Sequence, residues 1–434
     1  MKRLRVLVIA EAANPEWTSV PLIGWDLSQA LAKVVDAHLV TQVRNKAAIL
    51  RRGLVEHHDF TAIDNEAFAA PLSKFSTRLR GGAGKGWTTA TAFSSLSYYS
   101  FEYAVWSQFR ERLRNGEFDL VHRITPLSPT SQSFIAGRLA KLKVPFIVGP
   151  LNGGVPWPKT FRSRQHAEYE WLAHIRGLYK LLPFYSSMRR HSAAIIVGSQ
   201  FTKQDMPAWA REKCVYIPEN AVDLSLFGNP RSPRVSSPLQ AAFIGRLVPY
   251  KGADMLIEAA IPFLRAGTLQ LNIIGDGPQK PLLLEKVQGL NLASSVKFHG
   301  WIPHERIQEE LRVCDFLALP SVREFGGGVV LEAMALAVTP LVANYAGPSE
   351  LVDDTTGIRV PFSDEMSLVE GFRSVIADVI RSPEQLNRLG ASARAKAIAN
   401  FTWDAKAQQI LAIYEAVLGE GNDLKMLGVA GHQT

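Results

Sequence analysis

The chain has 434 residues, 47% hydrophobic and 20% charged, and carries a net charge of +8. That balance suits a soluble globular enzyme of roughly two to three domains. No apolar run approaches the roughly 18 residues of a membrane span. Cys214 and Cys314 lie far apart without metal-ligand spacing, which excludes a disulfide framework and favours a reducing, cytoplasmic compartment. The charge is uneven: residues 1–200 hold 26 Lys+Arg against 14 Asp+Glu, and residues 201–434 hold 22 against 26. The basic half suits an anionic surface or substrate, without choosing between membrane, nucleic acid and an acidic acceptor.

From the start, MKRLRVLVIA places basic residues before an apolar run too short for a secretory segment, so Leu4–Ala10 reads as a first buried strand. DLSQALAKV follows with helical period, then AHLVTQV, FDLVH, SFIAGRLAKL, PFIVGP and AAIIVGS. This alternation of β-branched runs and helices argues for a parallel sheet with crossover helices. Residues 74–87, KFSTRLRGGAGKGW, are basic and Gly-rich and read as a mobile loop; GGAGKG is not a P-loop, because no Ser or Thr follows Lys85 and no strand leads into it. Residues 157–190 interleave basic and aromatic side chains and read as a surface for a membrane or lipid-linked acceptor.

Between Pro218 and Pro238 the Pro, Ser, Asn and Arg content reads as an exposed linker. A second series then begins: LQAAFIGRL, MLIEAAIPFL, LQLNIIGDG, SVKFHG, CDFLALP and TPLVANYAG. The expected organisation is two α/β domains, residues 1–217 and 218–404, with a cleft between them. Ligands of such sheets bind outside the carboxyl ends of the strands. GDGP at 275–278 lacks the third glycine and the downstream acid of a dinucleotide fingerprint.

Two segments carry chemistry. In REFGGGVVLEAM, Glu324 and Glu332 bracket three glycines that free the backbone to approach a ligand. The helix that follows aims unpaired N–H groups at an anion such as a diphosphate. In AAFIGRLVPYKG a strand ends at Gly245, and Arg246 and Lys251 follow, a fork and a point charge suited to a diphosphate. Taken alone, the first also fits a Gly-rich turn with two solvated glutamates, and the second a solvated loop.

Together these segments resemble the retaining glycosyltransferases of family 4. IGRLVPYKGADMLIEA, LNIIGDGP, FHGWIP, EFGGGVVLEAMALAVTPLVANYAGPSELV and FTWDAKAQQILAIYEAVL match the family in order, and FDLVH, VGSQFT and IPENAVDLSLF look like landmarks of its first half. The resemblance implies a GT-B architecture, two Rossmann-like domains facing across a cleft, with a C-terminal helix at about 405–420 crossing back to the N-terminal acceptor-binding domain. It implies that Arg246 and Lys251, with Gly245, hold the donor diphosphate. Backbone N–H groups around Gly326, Gly327, Gly328 and Val329 would hold phosphate and sugar oxygens. Glu324 would bind the donor sugar, Glu332 the ribose, and His122 would reach the donor sugar across the cleft. GPLNGGVPWP resembles an acceptor-side loop found in a subset of the family, with Asn152, Gly153 and Gly154 near the acceptor.

The partners implied are a nucleotide diphosphate sugar and a sugar or lipid-linked glycan acceptor, with peripheral contact to an anionic membrane and no nucleic acid. No cofactor or metal is expected, because the two cations and a helix N-terminus supply the charge stabilisation. The mechanism implied is a front-face displacement, with the leaving phosphate helping to deprotonate the acceptor. Envelope polysaccharide, exopolysaccharide or glycolipid assembly is the expected pathway. Departures occur at Gly24-Trp25, a glycine site displaced down the chain, at Asn220-Ala221 for Asn-Gly, and at Gly347-Pro348 for a glycine pair. A scaffold that had lost catalysis would be expected to lack at least one of Arg246, Lys251, Glu324 and Glu332, and all four are present. An epimerase or phosphorylase on the same fold stays open.

Overall fold

The computed structural model describes residues 3–66, 87–167 and 179–419, with 423, 424 and 427. The GGAGKG motif and residues 168–178 of the basic aromatic stretch lie outside the described residues. Within them the chain divides into two compact units. One comprises Met1–Gly154, Tyr169–Glu219 and Trp403–Thr434, the other Val155–Glu168 and Asn220–Thr402.

In the first unit, β1 (Arg5–Ala10), β2 (Asp36–Gln42), β3 (Phe60–Ile63), β4 (Leu120–Thr125), β5 (Phe146–Leu151), β6 (Ala194–Val197) and β7 (Cys214–Tyr216) form a parallel sheet in the order β3-β2-β1-β4-β5-β6-β7. β4, β5 and β6 are buried at every residue, as strands covered on both faces must be. The helix Val20–Val34 starts with Pro21 in its first turn and buries Ile23, Leu27, Ala30 and Leu31 on one face. The final helix, Trp403–Leu418, buries Ala407, Ile410, Ile413 and Tyr414 in the same apolar cluster. Gly24 belongs to this packing: a Cβ there would stand 2.0 Å from the Ala12 carbonyl oxygen.

In the second unit, β8 (Leu239–Ile244), β9 (Leu269–Ile274), β10 (Val296–Gly300), β11 (Phe316–Leu319), β12 (Thr339–Ala343) and β13 (Ile358–Val360) run in the order β10-β9-β8-β11-β12-β13. The helix Ala253–Arg265 buries Ala253, Leu256, Ile257, Ala260 and Leu264, the i, i+3, i+4, i+7 stripe that covers a sheet face. The helix Glu365–Arg381 opens on a capping box between Asp364 and Ser367 and buries Leu368, Phe372, Ile376 and Val379. Burying a side chain such as Phe372 contributes about 1.5–3 kcal/mol.

Two sequence readings need correcting. The Pro-rich stretch after Pro218 is not an exposed linker throughout. The Arg231 guanidinium donates to an Asp315 carboxylate oxygen at 2.9 Å with both side chains buried, and that carboxylate also accepts from the Ser236 hydroxyl at 3.1 Å and the Gln240 N–H at 2.8 Å. Likewise, the start of the basic aromatic stretch is no open surface: Trp157, Phe161 and Arg164 are buried in the second unit. Arginine and tryptophan beside prolines read as solvated in sequence, yet partners distant in the chain draw them in.

Candidate active site

In each sheet the connection order reverses once, between β1 and β4 and between β8 and β11. Ligands of doubly wound sheets sit at that switch point, beyond the carboxyl ends of the strands. In the second unit the loops there are 245–251 after β8 and 320–327 after β11, the two segments that sequence singled out. The Tyr250 carbonyl joins them, accepting from the Val322 N–H at 2.9 Å and the Ser321 hydroxyl at 3.2 Å.

The structure brings Lys251 and Glu324 together as a hydrogen-bonded ion pair, with side chains 14% and 18% exposed. Burial pulls the Lys251 ammonium down, but the charge of Glu324 and the nearby Tyr250 outweigh it and leave its pKa above the ordinary value. Arg246 is exposed at the same strand end. Its loop is backed by the GDGP turn, whose Asp276 carbonyl accepts from the Leu247 N–H at 2.9 Å; that turn is a support and not a dinucleotide site.

Gly327 takes φ +60°, a left-handed conformation open to glycine, and caps the helix Gly328–Ala335. Gly347 must also lack a side chain, since a Cβ there would meet the Phe325 carbonyl oxygen at 2.0 Å. Its N–H donates to the Glu324 carbonyl at 3.2 Å. Pro348 lies beside Gly327, so the Gly-Pro pair abuts the glycine loop. A Cβ on Gly328 would stand 3.7 Å from the Asn220 side chain. Glu332, one turn into the helix, accepts from His304 Nε2 at 2.8 Å. His304 opens the helix His304–Arg312 and faces the Phe227 ring at 5.4 Å. Sequence reasoning missed His304 although it directly follows the FHGWIP landmark, because 28 residues separate it from Glu332 and only the fold joins them.

His122 departs from expectation. It is third in β4, three residues before the strand ends, and wholly buried. Its Nε2 lies 2.8 Å from the Gly149 carbonyl, which can only accept, so Nδ1 accepts from the Tyr414 hydroxyl at 2.6 Å. Burial lowers its pKa to about 4, against the raising effect of the Gly149 carbonyl. With both ring nitrogens engaged inside the first unit, His122 fastens the sheet to the helix Trp403–Leu418.

The acceptor-side loop is also braced. The Asn152 side-chain oxygen accepts from the Ser199 hydroxyl at 2.9 Å and the Thr202 hydroxyl at 3.3 Å. Gly153 and Gly154 have φ of +149° and +77°, and the Gly153 carbonyl accepts from Thr202. Among the described residues no three His, Cys, Asp or Glu side chains converge as metal ligands, and no helix is long and apolar enough to cross a membrane.

Residues 230–396 match the family described as glycosyl transferases group 1. The chain is 31% identical over 197 residues to the D-inositol 3-phosphate glycosyltransferase of Segniliparus rotundus, covering 44% of this chain and 42% of that protein. It is 32% identical over 284 residues to the glycogen synthase of Mycobacterium tuberculosis, covering 64% and 63%. The chain thus spans less than half the length of the first curated relative and under two thirds of the second. Anabaena Alr3699/HepE in complex with UDP superimposes with a TM-score of 0.60 at 17% identity, covering 96% of this chain and all of that one. Sucrose-phosphate synthase from Thermosynechococcus elongatus gives 0.61 at 18%, with the same coverage. At such identities the likeness concerns the fold, which is the two-domain parallel-sheet GT-B fold.

Proposed function

We propose that the chain is a retaining glycosyltransferase of family 4 that moves a sugar from a nucleotide diphosphate sugar to an acceptor hydroxyl. The observation that carries this reading is the Lys251–Glu324 pair at the switch point of the second sheet, beside the glycine-capped start of the helix Gly328–Ala335. In this reading Arg246 and Lys251 hold the diphosphate and offset the charge that grows on it as the sugar bond breaks, so no metal is invoked. Lys251 donates three N–H bonds and so serves Glu324 and a phosphate oxygen together. Glu324, fixed by that bond, faces the donor sugar where positive charge develops. Backbone N–H groups at Gly327 and Gly328 meet the phosphates, and Glu332 accepts from the ribose hydroxyls. Glu324 acts by charge and not as a covalent nucleophile in this reading, and the leaving phosphate takes the acceptor proton as the acceptor attacks from the same face.

The acceptor reading rests on the backbone of Gly153 and Gly154 at the end of β5. The printed name of the glycogen synthase relative supports a glycan acceptor, and an envelope or exopolysaccharide pathway accords with the basic first half. Contact with an anionic membrane is proposed for one patch of the first unit. Leu181 is 80% and Phe184 45% exposed there, near a pocket lined by Arg138, Lys141 and His191.

The test is acceptor-free hydrolysis of UDP-, GDP- and ADP-sugars. Release of sugar from one of the three supports the reading and identifies the base; no release from any, with no nucleotide binding, contradicts it.

A further inference from the structure

Residues 155–168 belong to the second unit although the chain on either side belongs to the first. Their anchors converge on the loops of the donor site. Trp157, 8% exposed, stands edge-on to the Tyr250 ring at 6.2 Å, next to Lys251. The Arg323 guanidinium, next to Glu324, lies between the Trp157 and Phe325 rings, 5.4 and 5.3 Å from their centres. The Pro156 carbonyl accepts from the Tyr345 hydroxyl at 2.9 Å, in the loop that leads to Gly347.

Arg164 closes the segment on the same wall. Its guanidinium donates to the Pro249 carbonyl at 2.7 Å, to both Asp254 oxygens at 3.1 and 2.7 Å, and to Glu365 Oε2 at 2.8 Å. One planar fork thereby ties the loop before Lys251 to two helix starts, which a lysine could not do.

We propose that Val155–Arg164 is a strap that positions the sugar-side half of the donor site, with Trp157 and Arg164 as positioning residues for Glu324 and Lys251. The inference rests on the donor-site reading of those two residues. The strap reaches the loops 249–251, 323–325 and 345–347. The contacts of Pro156, Trp157 and Arg164 given above fall on these loops and the two helix starts, away from the Glu332 side chain that marks the nucleotide side. Loosening it therefore disturbs the geometry in which charge develops and leaves nucleotide affinity in place, which predicts a fall in kcat with KM retained. Because the strap continues directly from Asn152–Gly154, the same stretch of chain carries the proposed acceptor loop and the wall of the donor site.

The test compares Trp157→Ala, Trp157→Phe and Arg164→Met by hydrolysis of UDP-glucose, GDP-mannose and ADP-glucose, and by amide hydrogen exchange of the nucleotide-free chain. Trp157→Ala and Arg164→Met are expected to lower kcat about tenfold or more with KM within about threefold, while Trp157→Phe, which keeps a ring against Arg323, stays within about threefold of wild type. Exchange at 321–325 and 344–348 is expected to rise in the first two variants and to stay unchanged at 329–335. Unchanged exchange, or loosened loops with kcat retained, overturns the strap; so does a loss confined to KM. If the wild type releases sugar from none of the three donors and binds none of the nucleotides, the glycosyltransferase reading fails instead, and the exchange data still decide whether the strap holds these loops. Should Trp157→Ala fail to fold, Arg164→Met carries the same comparison.

Discussion

Nε2 of His304 stands 2.8 Å from Oε1 of Glu332, so the first residue of one helix holds the carboxylate of another. Hydrogen bonds to a charged group are worth about 1.5–3 kcal/mol, so Glu332→Ala is expected to weaken nucleotide binding and raise donor KM about 10- to 100-fold. His304→Ala, which only frees the carboxylate to turn, should cost about 3- to 10-fold on the same scale. Calorimetric titration with UDP and GDP checks both; unaltered affinity in Glu332→Ala removes the ribose assignment.

The bond between Tyr414 and His122 predicts a stability effect without a catalytic one. Tyr414→Phe leaves a buried imidazole nitrogen without its donor, at a cost of about 1–3 kcal/mol. Urea unfolding should show that loss, with kcat of the folded protein within about threefold of wild type. A large fall in kcat at unchanged stability would return His122 to the site.

Lys406 is buried in the last helix, where it donates to the Pro218 carbonyl. Burial lowers its pKa to about 7, against the raising charge of Glu219. Between that value and the ordinary 10.5 the unfolded chain binds a proton that the folded chain lacks, so this group makes stability rise with pH across that window. Below about pH 7 the folded lysine is itself charged and the full burial cost remains. Lys406→Met should remove the slope and be the more stable form at low pH. Melting temperatures from pH 6 to 9 test this, and parallel curves for the two proteins would refute it.

Binding to phosphatidylglycerol vesicles is expected at low salt, weakening as salt rises. Leu181→Ser together with Phe184→Ser should abolish the part that survives moderate salt, since apolar insertion is not screened. Sedimentation with vesicles measures it. Equal binding by wild type and variant would move the contact elsewhere.

The fold was largely legible because its signals are local. Runs such as FIVGPL and AIIV are apolar on both faces, as buried parallel strands must be, and alternate with helical stripes such as Ala253–Leu264. Glu324 and Lys251 were legible as members of two separate donor-site segments, each after a strand end where such folds gather their ligands, but not as partners of one another. What escaped was non-local. His122 sits inside β4, so one residue type read identically as a ligand or as a core histidine until Tyr414 arrived from 292 residues away. Trp157 and Arg164 look like surface residues because their partners, Tyr250 and Asp254, Arg323, and Glu365, come from three stretches of the second unit far along the chain.

The central claim is that Glu324, held by Lys251, stabilises charge on the donor sugar. Single-turnover cleavage of the preferred nucleotide sugar by wild type and Glu324→Gln, with nucleotide affinity measured on the same samples, tests it most directly. The account predicts a rate at least about 100-fold lower with nucleotide affinity unchanged, the pattern of an interaction made in the transition state. A Glu324→Gln protein that cleaves the donor within a few-fold of the wild-type rate would contradict it.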